Sequence, residues 1–208
     1  MKIDAVILAG GQSRRMGGGD KALLRIAGRP MLAHIIERLS PQVGHIAINA
    51  NGDPARFADF GLPVIADTFG SFDGPLAGIL TAMRWASDND STAGHVLTVP
   101  ADAPLMPADL ADRLIAAIDD APDTIALAAS DGRRHPVAGL WPCALASDLS
   151  DGLDAGIRKV MQWAGRHSLV TVDFPLSETP LGTIDPFFNA NTPDDLSEIE
   201  RVLAASGS

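Results

Sequence analysis

The sequence predicts an α/β protein built on a single doubly wound, mostly parallel sheet flanked by helices. Three observations carry this. Ala5-Val6-Ile7-Leu8 is a short apolar run that empties directly into glycines, as a strand buried on both faces does. Further short apolar runs then alternate with stretches in which apolar residues recur at helical spacing. Polar residues gather where the runs end, and in doubly wound sheets ligands bind at the carboxyl ends of the strands. No repeat, linker or low-complexity segment divides the chain, so residues 1–205 are expected to form one domain, with Ser206-Gly207-Ser208 frayed.

The loop after the first strand is the most informative stretch. Leu8 to Lys21 is rich in glycine, which allows left-handed turns and a close approach of backbone N–H groups to a ligand. Rows of such groups form an anion-binding concavity, around which Arg14, Arg15 and Lys21 add full charges. A nucleoside phosphate explains both features. The dinucleotide fingerprint G-x-G-x-x-G is absent, and Lys21 stands between Asp20 and Ala22 rather than before the hydroxyl of a Walker loop.

In order, Pro30 opens a helix whose face is Met31, Leu32, Ile35, Ile36 and Leu39, with His34, Glu37 and Arg38 opposite. Residues 45–49 and 62–67 are strands ending in Asn49 and Asp67. Position suggests that both hold a base or ribose, although Asn and Asp also favour turns without any ligand. Gly74 and Gly78 bring the start of the next helix, which runs through Trp85, close to a ligand; Trp85 itself is expected in the core. Strand 95–100 leads to Asp102, placed as a single hard carboxylate able to hold magnesium together with phosphate oxygens, or as a turn cap before Pro104. Residues 107–118 read as a helix, 125–129 as a strand, and 131–141 as a polar loop feeding another strand. A helix beginning at residues 156–163 and a strand at 169–174 follow. Thr192, Pro193 and Asp195 cap a final helix. Cys143 is expected to be a small buried residue rather than a nucleophile.

The pattern L-A-G-G-x-S-x-R-M-G-x-x-D-K resembles the nucleotidyltransferases that mature the molybdenum cofactor, and most nearly the molybdenum cofactor guanylyltransferases. Sugar-nucleotide pyrophosphorylases differ by a third glycine and a Thr-Arg-Leu where this chain has Ser13-Arg14-Arg15-Met16. The resemblance extends through G-P-L-A-G around Gly78, P-x-D-x-P around Asp102, the His135-Pro136 pair and F-x-N-x-N-T-P with Asn189 and Asn191. It implies a Rossmann-like nucleotidyltransferase fold and transfer of GMP from GTP to the phosphate of molybdopterin, with release of pyrophosphate. It implies nucleotide contacts from Leu8, Ala9, Gly10, Gly11, Lys21, Asn49, Asp67 and Gly78, and Mg2+ on Asp102. Catalytic roles fall to Lys21, Arg15 and Asp102, and the pterin side to His135, Asn189 and Asn191. Arg134 with His135 also reads as an exposed hairpin, and Arg158-Lys159 as a solvated helix face.

Composition agrees. A net charge of −10 argues against nucleic acid or an anionic membrane as partner, whereas five cations and one acid lie between Gly10 and Pro30. One cysteine, no membrane-spanning run and no leader at Met1-Lys2-Ile3-Asp4 suggest a cytoplasmic enzyme, expected as a monomer with transient contacts to molybdoenzymes or their chaperones. Alternatives are a CTP-dependent cytidylyltransferase for the same pterin, a sugar-phosphate nucleotidyltransferase, and a non-catalytic nucleotide-binding adaptor. Serine-hydrolase and zinc signatures are absent.

Overall fold

A strand that is apolar on both faces must be covered on both, and this requirement organises the chain. The computed structural model describes residues 2–10, 20–69, 74–89, 94–118 and 121–206. The first half contains β1 (Asp4–Leu8), a hairpin of β2 (Arg25–Ile26) and β3 (Arg29–Pro30), α1 (Met31–Leu39), β4 (Ile46–Asn49), β5 (Val64–Ile65), α2 (Pro75–Asp88) and β6 (His95–Pro100). The second contains α3 (Leu110–Ala116), β7 (Ile125–Ser130), β8 (Arg133–Pro142), α4 (Ala146–Asp154), α5 (Val160–Ala164), β9 (Leu169–Asp173), the hairpin β10 (Ser177–Thr179) and β11 (Gly182–Ile184), and α6 (Pro193–Ser206).

Among the described residues the main sheet has seven strands in the order β5-β4-β1-β6-β8-β7-β9. Every neighbouring pair is parallel except those made by β8, which runs antiparallel between β6 and β7. Alternation along β1 sends Ala5 and Ile7 to a core shared with α1, α3 and α6, and Val6 to a core shared with α2, α4 and α5. The expected doubly wound, mostly parallel plan is therefore observed. The chain builds outward from β1 in one direction through β4 and β5, then in the other through β6. Strand order reverses at β1/β6, where such sheets bind their ligands.

Several local expectations change. His34 is buried, not solvent-facing, because its Nε2 lies 2.9 Å from the Ile26 carbonyl and ties α1 to the small hairpin. The strand expected over 62–67 is confined to Val64–Ile65: Asp67 leaves the ladder when its N–H is given to Asn51 Oδ1 at 2.9 Å. The helix expected over 107–118 spans Leu110–Ala116, since Asp109 has a non-helical backbone. The helix expected from residue 156 begins only at Val160, since Gly156 is left-handed at φ 87°; α4, whose Leu149 and Leu153 continue the spacing of Leu145, precedes it and was not among the expected elements. Trp85 is half-buried against the α2 core. Cys143 is half-buried, and burial pushes its thiol up, as befits an unreactive residue. The cap of α6 is as expected: the Asp195 carboxylate accepts from the amides of Asn191 and Thr192 at 2.8 and 2.7 Å, and Thr192 Oγ1 accepts from Asp195 N.

The largest departure is at β8. Residues 131–141 were expected to be a polar loop leading to a strand, but Asp131 and Gly132, with φ 46° and 70°, make a tight turn and Arg133–Pro142 is all strand. Leu127 then faces Gly139 while Ala129 faces Arg134, so Ala128 alone opposes residues 135–138. Pro136, which has no N–H for the ladder, lies within this bulge.

Candidate active site

At the carboxyl ends of β1, β4 and β6 the chain encloses a cavity of about 460 Å³. Its first wall is Leu8, Ala9 and Gly10 at the end of β1, with Asn49 and Asp67 beside them and Gly74, Pro75 and Gly78 at the start of α2. Pro100, Ala101 and Asp102 follow from β6. The opposite wall is the β8 bulge, residues 134–138, with Phe187 and Asn189. The bulge is what turns these side chains out of the sheet and into the cavity. It is pinned from behind by Thr98 Oγ1, which donates to Val137 O at 2.6 Å and accepts from Trp141 Nε1 at 2.8 Å.

Lys21 and Asp102, far apart in sequence, form an ion pair at 2.6 Å. Both are largely shielded, with side-chain exposures of 19% and 26%. Lys21 Nζ also donates to Asn191 Oδ1 at 2.7 Å, so Asn191 enters the site through Lys21. Asp20, the residue before Lys21, is bridged to Arg56 at 2.5 Å, and Arg56 in turn donates to the Asn51 carbonyl at 2.6 Å. The lysine is thereby anchored to the turn that follows β4.

That turn builds a carboxylate in a fixed orientation. Asp67 accepts from Asn49 Nδ2 at 2.9 Å on one oxygen and from Asn51 Nδ2 at 2.7 Å on the other. The amide of Asn49 also donates to Ile65 O, leaving its Oδ1 directed toward Gly78 and Gly10. A Cβ on Gly78 would lie 2.7 Å from that oxygen and 3.3 Å from the Leu8 methyl groups. The glycine in the first turn of α2 is required by this approach.

On the opposite wall the His135 imidazole stacks on Phe187, with ring centroids 4.4 Å apart. Burial holds it below the usual histidine range; Asp185 opposes this and Arg133 adds to it. That direction favours the neutral ring.

Among the residues expected to bind, Leu8, Ala9, Gly10, Lys21, Asn49, Asp67, Gly78, Asp102, His135 and Asn189 all line the one cavity. Gly11 and Arg15 lie outside the described residues. Arg134 lines the cavity and donates from Nε to Thr171 Oγ1 at 3.1 Å. Arg158 and Lys159 do not line it: Arg158 donates to the carbonyls of Leu153 in the last turn of α4 and of Ile157 beyond it, and Lys159 caps α5, so neither forms a helix face. Sequence reasoning did not single out Asn51, Arg56, Ser130, Asp185 or Phe187. Asn51, alternating with Asn49 at a strand end, offered a signal; the others take their roles from contacts, such as Arg56 with Asp20 and Ser130 with Asp185, that no local pattern announces.

The Asp102 carboxylate suits a divalent cation. One oxygen meets Lys21 and the other has no partner among the described residues, which also contain no group of three or more potential metal-ligating side chains. A cation there would draw the rest of its shell from phosphate oxygens and water, as magnesium does.

A sheet switch point that presents strand-end glycine and a shielded lysine–carboxylate pair to one cavity fits a nucleotidyltransferase. The chain belongs to the MobA-like NTP transferase family, whose domain model matches residues 5–170. It is 52% identical over 199 residues to the molybdenum cofactor guanylyltransferase of Rhodopseudomonas palustris strain BisB5, covering 95% of this chain and 92% of that protein. It is 48% identical to that of Bradyrhizobium sp. strain ORS 278, covering 97% and 93%. Among solved structures, the molybdopterin-guanine dinucleotide biosynthesis protein A of Archaeoglobus fulgidus superposes with a TM-score of 0.74 at 23% identity, over 97% and 99% of the two chains. A CMP:2-keto-3-deoxy-manno-octonic acid synthetase complexed with CTP gives 0.74 at 16% identity, over 99% and 100%. These two likenesses concern the fold alone.

Proposed function

We propose that this chain transfers GMP from GTP to the terminal phosphate of molybdopterin, releasing pyrophosphate and forming the guanine dinucleotide form of the molybdenum cofactor. The observation that carries this reading is the Lys21–Asp102 pair, set by strand order between the Asn49–Asp67 end of the cavity and the His135–Asn189 end. The identities of base and acceptor are supported by the names of relatives about half identical over nearly the whole chain.

The acceptor phosphate is itself the nucleophile, so no side chain need form a covalent intermediate. The protein's task is to align two polyanions and to offset the charge that grows on the leaving pyrophosphate. Gly10 and Ala9 offer backbone at the end of β1, and Lys21 supplies a fixed positive charge. Asn49, Asn51 and Asp67 hold a preset array for the base or ribose. Asp102 would hold Mg2+, which when bound neutralises phosphate oxygens and polarises the α-phosphorus. Arg15 belongs to the same proposal as a further charge on the phosphates. No helix among the described residues is long and apolar enough to cross a membrane. A cytoplasmic monomer that hands its product to molybdoenzymes or their chaperones completes the reading.

Calorimetric titration with GTP and with CTP, each with magnesium, is expected to give tight binding for GTP and little for CTP, and pyrophosphate release is expected only when molybdopterin is added. The reverse base preference would assign the chain to cytidyl transfer, and binding of neither nucleotide would reject the site. Gly78→Ala tests the nucleotide end. Its Cβ meets Asn49 Oδ1 at 2.7 Å, and overpacking of about 1–3 kcal/mol should raise KM for GTP about tenfold while the variant still folds. An unchanged KM would remove α2 from the nucleotide contact.

A further inference from the structure

The transfer chemistry makes no use of the buried hydroxyl beside the cavity's His135 wall. Ser130, the last residue of β7, is fully buried, yet its Oγ lies 2.6 Å from both Asp185 Oδ1 and His135 Nε2. A serine hydroxyl has a single hydrogen, and an ionised carboxylate can only accept. Asp185 Oδ1 also accepts from Phe187 N at 2.8 Å, which fixes its position. The hydroxyl hydrogen therefore goes to Asp185, and Nε2 of His135 must be the N–H donor to Oγ. In neutral imidazole this leaves Nδ1 as a bare lone pair, with no partner among the described residues. The ring plane is held too, because Phe187 stacks on it and Phe174 meets Phe187 edge-on at 5.4 Å.

We propose that Asp185 and Ser130 are positioning residues that make His135 an obligate hydrogen-bond acceptor, selecting a substrate whose nitrogen heterocycle presents an N–H to this wall of the cavity. The proposal rests on the reading of the His135–Asn189 end as the acceptor-substrate subsite. A pterin offers such N–H groups, and a rigid acceptor discriminates because a substrate lacking the hydrogen leaves the site's lone pair unmatched. Among the described residues the side chains of Asp185 and Ser130 hydrogen-bond only to each other, to His135 and to Phe187 N, so they have no direct part in phosphoryl transfer.

Nitrogen NMR on the histidine-labelled full chain reads the tautomer without substrate, and steady-state kinetics read its use. The wild-type chain is expected to show His135 protonated at Nε2 and bare at Nδ1. Ser130→Ala should give a mixture of tautomers and raise KM for molybdopterin about tenfold, leaving kcat and KM for GTP unchanged. Asp185→Asn keeps an acceptor oxygen for Ser130 and Phe187 N, and should retain both the tautomer and the wild-type KM. A wild-type ring protonated at Nδ1 overturns the proposal, as does a Ser130→Ala chain with an unchanged KM for molybdopterin. If the tautomer is as expected but the wild-type chain fails to use molybdopterin, the recognition role falls with the substrate reading, and the two failures are told apart.

Discussion

Replacing Lys21 by Ala should lower turnover by on the order of 10²–10³, the effect of removing one preorganised group that stabilises developing charge. Its Nζ bridges Asp102 and Asn191 at 2.6 and 2.7 Å in a shielded position, where a charge acts with less screening than in water. Asp20, held by Arg56, fixes the backbone just before it, so little reorganisation is needed as the reaction proceeds. Lys21→Met, which keeps the stem but not the charge, should lose as much as Lys21→Ala. Pyrophosphate release measured at saturating substrates checks both. Near-normal turnover in either variant would remove Lys21 from the chemistry, and recovery in Lys21→Met alone would assign it a packing role.

Asp102→Asn should abolish the response to magnesium, lowering turnover by about 10³-fold, since a cation worth several kcal/mol of charge stabilisation loses its protein anchor. The fold should survive: the side chain is outside the core, and the residue's structural bond, from Ala190 N to its carbonyl at 2.9 Å, is made by the backbone. Turnover followed across a magnesium titration, beside a thermal unfolding curve, separates the two effects. A variant that still responds to magnesium like the wild type would place the cation elsewhere.

Much of the nucleotide half was legible in sequence because it is local. The first strand, Gly10 and the polar residues at the ends of β4, β5 and β6 (Asn49, Asp67 and Asp102) lie close to the elements that position them, and the period of the apolar residues places each strand end. Gly78 was legible in the same way, although only the structure shows that the space a Cβ would fill is occupied by Asn49 Oδ1. The boundaries of β5 and α3 were not, because a side chain, Asn51, takes the Asp67 N–H that would extend the ladder, and Asp109 departs from helical geometry.

The His135 wall illustrates the limit. Read alone, residues 131–141 suggest a loop, because Asp, Gly and Pro punctuate them. Pairing with β6 and β7 made them a strand, and the mismatch of register made the bulge that faces the cavity. Arg158 and Lys159, read from sequence as a solvated helix face, ended instead on carbonyls at and just after the end of α4 and at the cap of α5.

By itself the sequence determined the α/β plan, the succession of its main strands along the chain and the residue types of a nucleotidyltransferase, because apolar periodicity and glycine placement act over a few residues. Tertiary structure alone decided which of those residues meet. Lys21 reached Asp102 and Asn191 through the reversal of strand order at β1/β6 and the docking of the segment before α6. Ser130 reached Asp185 and His135 through a β-turn and a bulge. Such contacts depend on register and strand order, which are set by burying both faces of the whole sheet at once and leave no mark in any single stretch of the chain.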